Sequence, residues 1–150
     1  RLLSIHTSNV RENISINNIK NVHAINKAVT DKNGLINFYK QLEDGGNSVY
    51  SQTNNNNLVK VESVTLIDII KQNKLSKIDF LKIDIEGAEG LIFKSTKKEV
   101  WTKVRKVSLE YHENVSELKH NKIIKILQDN GFSTRCIPNG PTFGHIYAWK

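Results

Sequence analysis

The stretch Ile78–Glu89, I-D-F-L-K-I-D-I-E-G-A-E, constrains this chain more than any other. Phe80, Leu81, Ile83 and Ile85 are apolar or β-branched and suit a strand covered on both faces. The apolar run then ends in two acids, Asp84 and Glu86, followed by Gly87 and the start of a helical pattern. A buried strand that passes through acids and a glycine into a helix is the unit from which α/β sheets are built. In such sheets ligands bind just outside the carboxyl ends of the strands. An acid in that place is either a site residue or the cap of the next helix.

The rest of the chain can be arranged around that strand. Residues 1 to about 18 read as a helix, with Leu3, Val10 and Ile14 near one face and Asn17-Asn18 as its stop. Val22–Val29 and Leu35–Tyr39 read as strands about the turn signal Asp31-Lys32-Asn33-Gly34, so the two are expected to form a hairpin. A polar loop with Gly45-Gly46 and the run Asn54–Asn57 follows. Leu58–Val64 alternates as a strand, and Thr65 with Asp68 three residues on predicts the cap of a short helix to about Asn73. After the central strand, a helix is expected over about Ala88–Val100 and a strand over Val104–Tyr111. A second helix is expected to be capped by Ser116 and stopped by Asn130-Gly131. Phe132–Ile137 and Phe143–Trp149 then read as strands about the turn Pro138-Asn139-Gly140-Pro141. Alternating strands and helices predict a parallel sheet, and the short last turn predicts an antiparallel hairpin closing it. One domain spanning 1–150 is the expectation.

Composition narrows the function classes. A hydrophobic fraction of 38% and a mean hydropathy of −0.43 describe a globular chain with material for a core. No apolar run approaches the roughly 18 residues of a membrane span. The single cysteine, Cys136, cannot close an internal disulfide and reads as core filler, so a reduced, cytoplasmic setting is expected. A net charge of +7 would suit anionic partners, but the lysines are scattered and no base-stacking platform stands out, so nucleic acid is not the expected partner. Methionine is absent even at position 1, which reads as a fragment or a processed product.

Two pairs of residues can carry chemistry. Asp84 and Glu86 stand at the end of the central strand, and Glu110 and His112 at the end of the following one. Residues two apart on a strand share a face. A histidine that titrates near neutrality is a credible base for a hydroxyl. Asp84, Glu110 and His112 are therefore the candidate catalytic set. The same three residues could instead hold a cation, although two-residue spacing is weak support for a metal, and none is assigned. Each acid also has a purely structural reading, Glu86 above all as a helix cap. Lys82 is expected to snorkel or to pair with a carboxylate. His6, His23, His120 and His145 are read as structural or exposed, and Trp101, Phe143 and Trp149 as core or hairpin cover.

The run at 78–89 resembles the signature of the FkbM family of methyltransferases. So do N-V-H-A-I-N-K-A-V-T-D-K-N-G-L-I-N-F-Y at 21–39, V-K-V-E-S-V-T-L-I-D-I-I at 59–70, L-E-Y-H at 109–112 and D-N-G-F at 129–132, in that order. The resemblance implies a Rossmann-like methyltransferase sheet, mostly parallel with a C-terminal antiparallel hairpin. It also implies S-adenosyl-L-methionine as methyl donor and a hydroxyl on a small molecule or sugar as acceptor. In the family the loop after the strand at 28–29 passes the adenine ring, which assigns Ala28, Val29 and Asp31 to cofactor binding, with Asp84 and Glu86 toward the rest of the cofactor. Asn47-Ser48 would approach the site as a cover. The family should begin with a strand and a glycine-rich turn for the methionine part of the cofactor; this sequence does not show them, so the expectation is an N-terminally truncated domain. The alternative is a degenerate module that binds without catalysing.

Overall fold

Lys106–His112, K-V-S-L-E-Y-H, alternates by residue type, and the structure uses that alternation to separate two faces of a sheet. In the computed structural model, which describes residues 7–39, 58–85 and 87–150, this segment is β5. Val107, Leu109 and Tyr111 are buried, while Ser108, Glu110 and His112 point the other way. On the buried side lie Phe93, Trp101, Val104, Ile123, Leu127, Phe132 and Ile146, a single apolar cluster. Its aromatic centre is Trp101, stacked on Phe93 at 5.0 Å and met edge-on by Phe132 at 6.3 Å.

Twelve elements are described in chain order: α1 Thr7–Ile16, β1 Ala28–Thr30, β2 Gly34–Tyr39, β3 Leu58–Thr65, α2 Leu66–Gln72, β4 Leu81–Ile83, α3 Glu89–Ser95, α4 Lys98–Trp101, β5, α5 His120–Asp129, β6 Ser133–Pro138 and β7 Phe143–Trp149. They form two sheets, of order β1-β3-β2 and β4-β5-β7-β6. β1 pairs parallel with β3, and β4 parallel with β5. The remaining ladders, β2 with β3, β5 with β7 and β6 with β7, are antiparallel.

The architecture is α/β, but the sheets are mixed, which corrects the expectation of a mostly parallel sheet. The closing hairpin is present. It does more than close an edge: β7 folds back between β5 and β6, so the strand after α5 reaches the sheet only through an antiparallel neighbour. The expected hairpin between the first two strands is also absent. β1 and β2 lie on opposite edges of β3, and Val22–Val29 contributes only its last two residues to a strand. The eight-residue β3 offers both of its edges, and this longer ladder replaces the local pairing.

Local signals were kept where side chains close their own turns. Asn18 adopts φ +52° and ends α1, with the Ile19 N–H donating to the Ile14 carbonyl at 3.0 Å. Thr65 caps α2: its Oγ1 accepts from the Asp68 N–H at 3.2 Å and donates to Asp68 Oδ2 at 2.6 Å. The reciprocal half of a capping box is supplied from elsewhere, because the Thr65 N–H donates to Asn33 Oδ1 at 3.1 Å.

Three boundaries differ. The expected helix over 88–100 is broken into α3 and α4, with Thr96 and Lys97 in extended conformation between them. The central strand is shorter than Ile78–Asp84: Ile78 makes one isolated bridge to Val104 before the ladder proper begins at Leu81. Ser116 does not cap α5. The residue before that helix is Lys119, which supplies no side-chain cap, and Ser116 Oγ instead accepts from the Leu118 N–H at 3.4 Å within the preceding turn. Cys136 is partly buried against the main cluster, in keeping with a filler role.

Candidate functional site

Parallel pairing of β4 with β5 brings their carboxyl ends together. Ile83 and Leu109 are the last pair of the ladder, so Asp84 follows the end of β4 while β5 runs on through Glu110 to His112. Glu110 and His112 share the face of β5 opposite the main cluster. Of the expected catalytic set, Glu110 and His112 lie beside one another, with Oε1 3.7 Å from Nε2, and Asp84 follows the end of the neighbouring strand. Asp84 is the most exposed of the three and forms an ion pair with Lys82, which meets the expectation for that lysine. Glu86 lies outside the described residues, as do Asn47 and Ser48.

The deepest member of the constellation is Glu89, the third acid of the central run. Gly87, with φ +101°, turns the chain in a conformation that suits glycine and leads it into α3. Glu89 opens α3 and is completely buried (0% exposed). Its Oε1 accepts from the Gly87 N–H at 3.1 Å and lies 3.0 Å from Nδ1 of His112. Its Oε2 has no hydrogen-bond partner among the described residues. Such an atom is uncommon in a folded interior and marks a place for a further donor.

Glu110 continues the series. Its Oε1 lies 3.7 Å from His112 Nε2 and its Oε2 lies 3.6 Å from Nε2 of His145, its direct cross-strand neighbour on β7. His145 Nδ1 meets the side-chain amide of Asn139 at 2.8 Å. Buried Glu89, part-buried His112, Glu110, His145 and the turn residue Asn139 thus form one polar row across β5 and β7. The same face of β7 carries Phe143, Tyr147 and Trp149, with exposures of 38%, 39% and 44%. Trp101 is the core residue it was expected to be; Phe143 and Trp149 are not buried.

The sequence reading missed Glu89 and His145. A strand end makes the first acids after it the obvious candidates, whereas Glu89 returns to the site only because the Gly87 turn folds α3 back over it. His145 has no spacing signal at all, since a cross-strand register places it beside Glu110. The remaining expected residues are on the other sheet. Ala28 is buried in β1, level with Ser63 of β3. Val29 is half-buried against the second apolar cluster of Leu66, Ile70, Ile92 and Val100. Asp31 is exposed in the turn, where Thr30 Oγ1 rather than Asp31 bonds the backbone of Lys32. α3 packs against β1, so it is the element that the two groups share.

A cavity of about 510 Å³ lies at the opposite ends of β4 and β5, lined by Ile67, Ile70, Leu75 and Val100 with Lys71, Lys74 and Lys103. Its lining also includes Glu99 but none of Asp84, Glu89, Glu110 and His112. Among the described residues no cluster of three or more metal-ligating side chains occurs, and no helix is long and apolar enough to cross a membrane.

Neither the curated proteins nor the solved structures contain a match to this chain. The family model of the methyltransferase FkbM domain matches residues 4–134, which include Asp84, Glu89, Glu110 and His112 but not Asn139 or His145. The chain belongs to the FkbM methyltransferase family.

Proposed function

We propose that this domain methylates a hydroxyl of a small molecule or sugar, with S-adenosyl-L-methionine as donor. The observation that supports the reading is the parallel pairing of β4 with β5, after whose carboxyl ends stand Asp84 on one strand and Glu110 with His112 on the other, in a chain of this family. The residues present fit such a donor by their chemistry. Carboxylates at the strand ends are acceptors for an ammonium group and for ribose hydroxyls, and Glu89 Oε2 is a buried acceptor awaiting a donor. When bound, S-adenosyl-L-methionine supplies an electrophilic methyl group on a sulfonium.

The chain's own residues then have to orient the acceptor and take its proton. His112 is the base in this reading, Glu110 directs the acceptor hydroxyl, and Asp84 faces the cofactor. Ala28, Val29 and Asp31 would pass the adenine ring along the edge of β1, Val29 through its main chain because its side chain is engaged in packing. Isothermal titration with S-adenosylhomocysteine tests the reading, in the longest form of the protein that its reading frame encodes. Saturable one-to-one binding is expected. A folded protein that gives no heat of binding sinks the proposal.

A further inference from the structure

We infer that the cavity between α2 and α4 is a binding site for a single-chain alkyl carboxylate, distinct from the strand-end acids. Its floor is hydrocarbon: Ile70 and Val100 are buried there, and Ile67 and Leu75 are half-buried beside them. Its rim carries three cations, Lys71, Lys74 and Lys103, against one acid, Glu99. Its volume of about 510 Å³ falls within the range of small-molecule sites, roughly 300–1,000 Å³, which are likewise apolar with a few polar groups at fixed places.

The sequence builds one wall by helical spacing. Ile67, Ile70 and Lys71 recur on one face of α2, and Lys74 continues that face just past its last turn. The helix then ends in a Schellman turn: the Leu75 N–H donates to the Ile70 carbonyl at 2.9 Å and the Lys74 N–H to the Lys71 carbonyl at 3.1 Å. Leu75 packs against the cluster that holds Ile70, the apolar contact that accompanies such a turn. The residue at its left-handed position, with φ +50°, is Lys74, where glycine is the ordinary occupant. Asn18 is the one other non-glycine residue with positive φ among the described residues, and asparagine tolerates that conformation better. A lysine held there gives up local stability, and what it supplies is an ammonium at the edge of the trough.

The opposite wall contributes Lys103, whose Nζ donates to the Leu75 carbonyl at 3.2 Å and is thereby held toward the end of α2. An ammonium has three hydrogens to give, and a carboxylate accepts at both oxygens. Among the described residues none of the three lysines forms an ion pair. A carboxylate between them receives charge-assisted hydrogen bonds, while its alkyl chain covers Ile67, Ile70, Leu75 and Val100. A neutral alcohol of the same length gains only the burial, and a small inorganic anion only the charge. The excess of cations over an apolar floor therefore favours a molecule that has both parts.

Titration of the ¹⁵N-labelled protein with sodium decanoate, followed in ¹H–¹⁵N correlation spectra, tests the site. Saturable shifts are expected at amides within 67–76 and 99–103, with one common Kd that weakens as salt is raised. Decanol, which has the same chain and no charge, should bind about tenfold more weakly. Lys74→Gln should lose about the same factor. Lys74→Gly separates the two roles of the residue. Glycine relieves the left-handed turn, so the thermal midpoint should rise, while decanoate affinity should fall about tenfold. The inference is overturned if decanoate shows no saturable binding at low millimolar concentration, or if the shifts centre outside these two segments. Decanol that binds as well as decanoate overturns it too, as does a Lys74→Gly variant of wild-type affinity. None of these readouts involves methyl transfer or S-adenosylhomocysteine.

Discussion

Glu113 Oε1 receives two hydrogen bonds from one residue, His120: the main-chain N–H at 3.2 Å and ring Nδ1 at 2.6 Å. α5 begins at His120 with no side-chain cap from Lys119, so Glu113, seven residues back, satisfies the first free N–H of the helix. The hydrogen bond from the His120 ring, more than the main-chain bond, holds the Glu113 carboxyl below the usual glutamate range against the opposing effect of desolvation.

A pH dependence follows from that shift. A carboxyl whose value is lower in the folded state stabilises the fold above its unfolded value, and the stabilisation is lost as pH falls through the folded value. Glu113→Ala should cost about 1 kcal/mol at neutral pH, as for the loss of a helix cap. The gap between wild type and variant should close in acid. Thermal melts of both proteins from neutral pH down to about pH 3 would check this, since the ordinary glutamate value lies near 4.3. A gap that persists in acid would contradict it.

The Thr65 cap makes a prediction readable at a single side chain. Hydrogen bonds from Thr65 first, then Asn33, hold the Asp68 carboxyl below its usual value. Thr65→Ala removes the larger of these and the cap together. The Asp68 titration midpoint followed by NMR should rise, and stability should fall by about 1 kcal/mol. An unmoved midpoint would show that Asn33 alone sets it.

Leu109 sits at 0% exposure in the middle of β5, between the helices and β7. Leu109→Ala should cost about 2–5 kcal/mol, the usual range for a buried leucine that leaves a cavity. Urea unfolding should show a lower midpoint with an unchanged slope. A cost under about 1 kcal/mol would mean that the cluster collapses into the space.

Gly144 has no room for a side chain. A Cβ there would lie 2.6 Å from the Ile137 carbonyl oxygen, 2.7 Å from the Tyr111 hydroxyl and 2.8 Å from Pro138 Cα. Two of these are main-chain atoms of the paired strand and cannot swing away. Gly144→Ala should destabilise by about 1–3 kcal/mol and loosen the β6–β7 hairpin. Hydrogen exchange at the hairpin amides would locate the damage, and wild-type protection there would refute it.

The proposed chemistry divides by residue. His112→Asn should lower methyl transfer about 10²–10⁴-fold, the range for removing a general base, with S-adenosylhomocysteine affinity little changed. Asp84→Asn should act on that affinity. Kinetics and calorimetry on the two variants separate the roles, and a His112 variant of wild-type rate would remove it as the base.

Much of this molecule was legible in order of residues. The alternation of β5, the Asn130-Gly131 stop and the turn at 138–141 each depend on neighbours in sequence, and the structure keeps them; of the run Ile78–Glu89 it keeps a shorter strand, Leu81–Ile83, and a helix that begins at Glu89. The position of Asp84, Glu110 and His112 by strand ends was also legible, because strand ends in an α/β chain can be found from where apolar runs stop. What the sequence could not decide was pairing. Whether β1 joins β2 or β3 depends on the edges that other strands leave open, and β7 enters between β5 and β6 only because α5 carries the chain past it. The same holds for the site. Glu89 reads as a helix residue and His145 as a surface one until the turn at Gly87 and the β5–β7 register bring them to His112 and Glu110. Local hydrogen bonds and periodicity are written in short stretches of sequence, whereas contacts between distant carboxylates and imidazoles exist only after the sheet has closed.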